Sequence, residues 1–165
     1  MIDPAQLSEW FEAYCAPLTL YARQWLDRAA AEDVVQEVYV RLMSQPVTPA
    51  NVKAWLFKAV RNEAISQSRS TLRRRKREQN LPGAREEWFE TSASDLIDGA
   101  AARKAMESLP PPQREVIVLR IWGQMTLKEA AAVTGSSIST VFDQYRAGLK
   151  TLRERMSAPC KTKKE

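Results

Sequence analysis

The chain has 165 residues, of which 44% are hydrophobic and 27% charged, and its net charge is +5. This length suits one medium domain or two small ones, and the composition, without a long apolar run, predicts a soluble helical protein and excludes a membrane-spanning or disordered one. Histidine is absent and the only cysteines, Cys15 and Cys160, lie far apart, so we expect no metal site, no structural disulfide and no cofactor.

The first predicted helix covers residues 5–27, where apolar side chains recur at helical spacing. Pro17 lies inside this stretch and is expected to kink or split the helix, because proline lacks the backbone N–H that a helix interior uses. The opening residues, MIDPAQLSEW, lack the basic start and apolar stretch of a secretory signal. We therefore expect a cytoplasmic protein.

A second helix is predicted over residues 31–43, AEDVVQEVYVRLM. Its core-facing stripe is expected to contain Val34, Val35, Val38 and Leu42, which recur at i, i+1, i+4 and i+8. A short loop with two prolines follows at residues 45–51. The opposite face of the helix carries the polar side chains Asp33, Gln36, Glu37 and Arg41.

A long helix is predicted from Val52 to about Arg77, with an apolar face that includes Val52, Trp55, Leu56, Ala59 and Val60. Four arginines lie on one side of it, because they recur at multiples of four and only Ile65 interrupts them. Residues 73–77 are consecutive basic residues, which favours phosphate contacts, with a solvated helix end as the alternative. The row consists of Arg61, Arg69, Arg73 and Arg77.

The segment at residues 81–96 mixes Pro, Gly, Ser and acidic residues without a period, which predicts a flexible linker. Helices are predicted beyond it at residues 97–108 and 112–122, the second introduced by the prolines of LPPPQRE. We therefore expect an all-α protein of two small helical domains, at residues 1–80 and 97–156, with a basic tail at residues 157–165.

The last two predicted helices have the pattern of a helix-turn-helix. Thr126 and Glu129 form a capping box that starts a helix at Thr126, Gly135 permits a tight turn, and Ser137 is the expected N-cap of a helix to about Met156. An ordinary helical hairpin is the alternative. In a helix-turn-helix the second helix enters the major groove of DNA. It would present Ser137, Ser139, Thr140, Phe142, Asp143 and Arg146 to bases and phosphates.

Three side chains of this last helix have specific expected roles. Arg146 suits guanine or phosphate, and Phe142 suits a thymine methyl group. Phosphates repel the carboxylate of Asp143 unless it accepts from a cytosine amino group or pairs with Arg146. Stabilisation of the helix N-terminus is an equally good role for Asp143.

Charge alternates along the chain in four blocks. Residues 51–80 carry nine basic and two acidic side chains, and residues 109–165 carry ten and five. Residues 1–50 carry three basic and seven acidic side chains, and residues 81–108 three and six. A polyanion attracts the basic blocks, and the acidic blocks fit a basic partner. Nucleic acid together with a protein partner explains both kinds, and solvated helix faces are the alternative.

Three stretches occur in an order and size typical of one protein family: AEDVVQEVYVRL, AWLFKAVRNEAISQSRSTLRRRKR and LPPPQREVIVLRIWGQMTLKEAAAVTGSSISTVFDQYRAGLKTLRERM. On these residues the chain resembles the bacterial extracytoplasmic-function (group 4) sigma factors of RNA polymerase. The resemblance implies that the first domain binds core RNA polymerase and opens the minus-ten element of promoter DNA, while the second reads the minus-thirty-five element. An anti-sigma factor is a further partner that the family allows and the residues do not identify. No membrane insertion is expected.

The resemblance implies roles for residues of the first domain. The polar face of Asp33, Gln36, Glu37 and Arg41 would dock on the clamp helices of the polymerase, with a solvated face as the alternative. The loop at residues 45–51 would hold an unstacked base. The minus-ten strand would contact the long helix through Lys58, Arg61, Asn62, Arg69 and Arg73.

The sequence departs from the family pattern at several positions. Ser66 stands where the family commonly has Asp, and Phe142, Asp143 and Gln144 replace a stretch that is often more basic, so promoter preference does not carry over from relatives. The acidic linker would either avoid nucleic acid or mimic it.

The sequence leaves two other function classes open. A stand-alone helix-turn-helix regulator and a helical protein without DNA contact are the alternatives. An enzyme is disfavoured, because the sequence has no phosphate-cradling glycine loop, metal cluster or nucleophile and base pair.

Overall fold

A computed structural model of the chain describes residues 2–78 and 99–157. These two ranges contain seven helices and no strand, which confirms the all-α class. Within the two described ranges, no helix qualifies as a candidate membrane span. The expected linker at residues 81–96, Cys160 and the tail beyond residue 157 lie outside the described residues. The helices are α1 (Pro4–Ala22), α2 (Arg28–Met43), α3 (Val52–Glu78), α4 (Gly99–Glu107), α5 (Pro111–Ile121), α6 (Leu127–Thr134) and α7 (Ile138–Ser157).

Pro17 does not split the first helix, because α1 is one helix that runs through it to Ala22. Leu18, Tyr21 and Ala22 lie within the five residues after the proline and are fully buried. Tertiary packing of this turn therefore holds the second half of α1 in place, which outweighs the hydrogen bond that proline cannot make.

α2 begins at Arg28, three residues before the expected start, because Asp27 caps it. The Asp27 carboxylate accepts a hydrogen bond from the backbone N–H of Ala30 at 2.9 Å. The expected core stripe of this helix is confirmed: Val34, Val35, Val38 and Leu42 are all buried.

One continuous apolar core contains residues from both α1–α3 and α4–α7. Tyr21 lies in it with its ring edge-on to Trp25 at 5.3 Å and tilted against Phe57 at 5.4 Å between centroids. On the expected inner face of α3, Leu56 and Val60 are fully buried. α3 packs against α1 and α2 and also against α6, so the two groups of helices are in direct contact.

The start of α6 and the turn after it have the geometry that the sequence predicts. The hydroxyl of Thr126 accepts from the N–H of Glu129 at 3.1 Å, and the Glu129 carboxylate accepts from the N–H of Thr126 at 2.8 Å. Gly135 ends α6 in the left-handed region with φ of 72°. Its N–H donates to the carbonyl of Ala131 at 2.9 Å, which satisfies a terminal backbone group.

α7 is positioned by its first turn and by a close crossing with α5. The hydroxyl of Ser137 accepts from the N–H of Thr140 at 3.1 Å, as expected of an N-cap. Val141 is fully buried. A Cβ atom at Gly148 would lie 2.6 Å from Cδ1 of Ile117, so this glycine lets α5 and α7 approach closely.

Gly135→Ala should lower the free energy of unfolding by about 1 kcal/mol, because a side chain in the left-handed region crowds the backbone. Open space surrounds the position, so the cost comes from the backbone and not from a clash. Urea titration followed by circular dichroism measures it. Gly135→Asn should lose less, since Asn tolerates this conformation better, and equal losses would contradict the explanation.

Candidate nucleic-acid interface

A groove of about 320 Å³ runs along the exposed side of α3. Arginine, asparagine and serine side chains provide the groove with hydrogen-bond donors. None of the described residues that line it is acidic. Four of the five residues expected at the minus-ten strand line it, and the fifth, Lys58, is exposed on the same helix. The structure thus brings most of the expected set together. The lining residues are Arg61, Asn62, Ile65, Ser66, Arg69 and Arg73.

Arg61 is not directed only at the groove, because it pairs with the C-terminal helices. Its Nε donates to Oε1 of Glu115 at 2.6 Å, and the hydroxyl of Tyr21 donates to the same oxygen at 2.7 Å. Among the described residues, Glu115 is the one charged side chain that is buried. Burial, together with the charge of Glu115, raises the pKa of Tyr21 well above its usual range, so Tyr21 stays a neutral donor.

A second groove, of about 420 Å³, lies between α1 and the loop at residues 45–51. The aromatic rings of Trp10 and Tyr14 line it together with Asn51 of the loop and Lys53 in the first turn of α3. Aromatic rings beside hydrogen-bond donors are the surface on which single-stranded nucleic acid stacks. Trp10 and Tyr14 were not among the residues expected at this site.

At the rim of this groove, Asn51 bonds to α6 and Lys53 bonds to the turn between α5 and α6. Asn51 donates from Nδ2 to Oε1 of Glu129 at 2.9 Å, and Lys53 donates from Nζ to the carbonyl of Gln124 at 2.9 Å. The backbone N–H of Thr126, followed by the side chains of Asn51 and Thr126 and the charge of Lys53, lowers the pKa of Glu129 despite its partial burial. Glu129 is therefore a carboxylate at neutral pH.

The polar face of α2 is exposed at all four of its expected residues, Asp33, Gln36, Glu37 and Arg41. Arg41 bonds to Glu37 at 3.2 Å and to Glu63 of α3 at 2.7 Å, and the hydrogen bond from Arg41 lowers the pKa of Glu63. The arginine is thereby balanced by two carboxylates, which leaves the face acidic. An acidic face suits a basic protein surface better than DNA.

Exposed apolar side chains border the polar face of α2, and the apolar spacing of the sequence did not predict their exposure. Val40 is 56% exposed and Met43 is 48% exposed. Their neighbours in sequence, Tyr39 and Leu42, are buried. Partly apolar surfaces with a polar rim are typical of protein interfaces.

All six residues expected to read DNA are exposed, five of them in α7 and Ser137 just before it. The hydroxyl of Ser137 lies 2.8 Å from that of Thr140 and 3.1 Å from that of Ser139, so the three form one polar cluster. Phe142 is 44% exposed. Within the described residues, Asp143 does not pair with Arg146, which leaves both side chains available to a ligand.

Two family models match the chain, one on each group of helices. Sigma-70 region 2 matches residues 10–78, and Sigma-70, region 4 matches residues 100–152. The first match contains the α3 groove, the α2 face and all of the second groove's lining except Gln6, and the second contains the helix-turn-helix.

Individual proteins in three bacteria are similar to this chain. The ECF RNA polymerase sigma factor SigL of Mycobacterium tuberculosis is 28% identical over 162 residues, which cover 92% of this chain and 89% of that protein. The RNA polymerase sigma factor SigV of Bacillus subtilis is 27% identical over 126 residues, 74% of either chain. The RNA polymerase sigma-E factor of Streptomyces antibioticus is 41% identical over 78 residues, but these span only 42% of that protein and 47% of this chain.

Two solved structures have a similar fold. The sigma factor RpoE of Bartonella quintana, in complex with the anti-sigma factor NepR, superposes with a TM-score of 0.77 over 92% of this chain and 96% of that chain, at 24% identity. CnrH, in complex with the cytosolic domain of CnrY, gives a TM-score of 0.62 over 95% and 91%, at 23% identity.

Proposed function

The chain belongs to the extracytoplasmic-function sigma factors of the sigma-70 family, and we propose that it binds core RNA polymerase through α2 and promoter DNA through α3 and α7. The observation that carries this proposal is the position of the two region matches on the two groups of helices. A stand-alone helix-turn-helix regulator would not need the first group. We place the polymerase and minus-ten domain at residues 1–80 and the minus-thirty-five domain at residues 97–156.

Opening of the minus-ten element requires that a base leave the stack, at a cost of about a few kcal/mol. The cationic groove of α3 would hold the strand backbone through Arg69 and Arg73, with Lys58, Arg61 and Asn62 beside them. The groove beside Trp10 and Tyr14 would receive the released base by stacking. The chain would thus act by binding and positioning, without catalysing a reaction itself.

Recognition of the minus-thirty-five element would rest on α7. Its exposed face combines a hydroxyl cluster with Phe142 and Arg146, whose chemistry suits base edges. We also propose that the chain acts in the cytoplasm and that an anti-sigma factor can bind it, as NepR binds the RpoE structure.

The paired change Asp33→Lys and Glu37→Lys should weaken binding to core polymerase by at least tenfold, or about 1.4 kcal/mol, because it reverses the charge of the α2 face. Both side chains are exposed, so the fold should stay intact. Fluorescence titration with core polymerase at moderate salt measures the change. The matched control, Glu107→Lys with Glu154→Lys, alters charge equally in the C-terminal helices. Undiminished binding of the α2 variant would refute the clamp assignment.

Replacing Arg69 and Arg73 by Ala should impair promoter opening more than polymerase binding, because the strand backbone loses two cationic contacts. Permanganate reactivity of the melted strand reports opening. The control variant carries Arg69→Lys and Arg73→Lys. It keeps both charges and should retain most of the promoter opening. Normal permanganate reactivity in the alanine variant would show that α3 does not hold the open strand.

Phe142→Ala and Arg146→Ala should each lower transcription from promoters that depend on the upstream element, by about 1–3 kcal/mol if each reads a base. Neither change should alter polymerase binding. The comparison is Lys150→Ala, at an exposed position of α7 where we propose a contact to phosphate, since loss of a phosphate contact weakens all promoters about equally. If both variants transcribe normally while Ser137→Ala and Thr140→Ala do not, recognition comes from the start of α7 alone.

A further inference from the structure

Arg120 of α5 contacts both helices of the helix-turn-helix. Its Nη1 donates a hydrogen bond to the backbone carbonyl of Met125, the residue just before the capping box that starts α6. Its guanidinium lies over the ring of Tyr145 in α7, 5.2 Å from the ring centroid, which is within the range of a cation–π contact. One side chain of α5 therefore links the start of α6 to the middle of α7.

The contact with Tyr145 completes the packing of α5 on α7. Tyr145 and Gly148 are three residues apart, so they lie on the same side of α7. Ile117 and Arg120 have the same spacing on α5. Ile117 packs at Gly148, where the glycine lets the helices approach closely, and Arg120 covers the Tyr145 ring one turn away. Two contacts one turn apart fix the rotation of α7 about its own axis as well as its distance from α5.

The rotation of α7 decides where its exposed side chains point. Arg146 follows Tyr145 directly in the chain, and successive side chains of an α-helix diverge by about 100°. Tyr145 is half-buried, whereas Phe142 and Arg146 are exposed. A hydrogen bond to a base edge forms only within a narrow range of distances and angles. The contact that holds the Tyr145 ring therefore also sets the direction in which the exposed side chains approach DNA.

Arg120 itself is poorly placed to bind a phosphate. Its Nε atom is buried, its Nη1 bonds to the Met125 carbonyl, and the Tyr145 ring covers one face of the guanidinium. The two-pronged contact that arginine makes with a phosphate needs two neighbouring nitrogen atoms. Each such pair on Arg120 includes either the buried Nε or the occupied Nη1. The side chain is therefore directed at the protein and not at a ligand.

We propose that Arg120 is a positioning residue for recognition of the minus-thirty-five element. By holding the Met125 carbonyl and the Tyr145 ring, it keeps α6 and α7 at the angle at which Phe142 and Arg146 meet the bases. This inference rests on the proposed function of α7. It adds to that function a residue that determines specificity without touching the DNA.

A positioning residue and a phosphate contact lead to opposite results when they are removed. Loss of a phosphate contact weakens binding to all sequences about equally and reduces the slope of log affinity against log salt by about 1. Loss of a positioning residue misdirects the side chains that read bases, so discrimination between sequences falls while the salt slope is unchanged. A mere loss of stability leaves discrimination as it was, because the folded fraction is the same for every DNA.

Binding is measured with the full chain assembled on core polymerase. Fragments of the source genome that the wild-type holoenzyme retains supply a promoter duplex, and a copy with a scrambled upstream element is the reference. Fluorescence anisotropy over a series of salt concentrations gives the affinity for each duplex, and the ratio of the two affinities is the discrimination. Arg120→Ala should lower the discrimination by about fivefold or more, which is the lower end of the cost of one lost base contact, with an unchanged salt slope.

Variants of Tyr145 and Lys150 supply the controls. Tyr145→Phe keeps the ring under the guanidinium and should retain the discrimination, whereas Tyr145→Leu removes the ring and should lower it. Because the two residues act through one contact, Arg120→Ala combined with Tyr145→Leu should lower the discrimination little more than Arg120→Ala alone. Lys150→Ala, at the proposed phosphate contact, should instead reduce the salt slope and weaken binding to both duplexes.

Equal weakening on both duplexes with a reduced salt slope in Arg120→Ala would make Arg120 a phosphate contact and overturn the inference. Wild-type discrimination in Arg120→Ala or in Tyr145→Leu would overturn it as well. Either result leaves the proposed function of α7 intact, because the wild-type holoenzyme still tells the two duplexes apart. If the wild-type holoenzyme binds both duplexes equally, the proposed function of α7 is refuted together with the inference.

Discussion

The contact of Glu115 with Tyr21 and Arg61 joins the two groups of helices through one carboxylate oxygen. Tyr21 is held by the ring contacts of the N-terminal core, and Arg61 comes from the middle of α3. One buried carboxylate oxygen accepts both hydrogen bonds, and hydrogen bonds depend on direction. The position of α5 on α1 and α3 is therefore set by hydrogen-bond geometry as well as by apolar contact. Removal of either donor would leave a buried charge less well satisfied, which is the costly state for such a group. The orientation of α6 and α7, which pack on α5, depends on this contact in turn.

Charge in this chain is sorted between faces of neighbouring helices. α2 carries carboxylates outward, α3 carries arginines outward, and the bond from Arg41 to Glu63 lies where the two faces meet. That bond pairs the arginine of the acidic α2 face with a glutamate of α3. The remaining charges on the α2 face are therefore negative, and those on the α3 face are positive. A basic protein surface and a nucleic-acid backbone can therefore approach the same small domain from different sides without competing for one patch.

The sequence predicts correctly those elements that depend on interactions between residues close together in the chain. The stripe of Val34, Val35, Val38 and Leu42, the capping box of Thr126 and the turn at Gly135 all lie within a few residues of their partners, and the structure contains each of them. The start of α2 differed because a side chain just outside the apolar pattern, Asp27, caps the helix. The row of arginines on one side of α3 followed from their spacing, whereas the groove that three of them line did not. Its role in DNA binding stays a prediction.

Contacts between the helix groups had no such local signal. Arg61 and Glu115 are 54 residues apart, and Asn51 and Glu129 are 78 residues apart. A glutamate just before a run of apolar residues in α5 does not reveal which helix will cover it, since that depends on how the two groups dock. Trp10 and Tyr14 belong to the apolar spacing of residues 5–27, and nothing in that local pattern shows that their rings border a groove.

The exposed ring of Phe142 makes the two proposed DNA contacts respond differently to the surroundings of the chain. Contacts between the arginines of α3 and DNA phosphates weaken as the salt concentration rises. Such contacts release cations condensed on the DNA, and this release is less favourable when the solution already holds many cations. Contact of an aromatic ring with a methyl group is apolar and has no such dependence. In the proposed function, rising salt would therefore weaken the contacts of the α3 arginines more than the contact of Phe142, so promoters that rely on the downstream element would lose more of this chain than promoters with a strong upstream element.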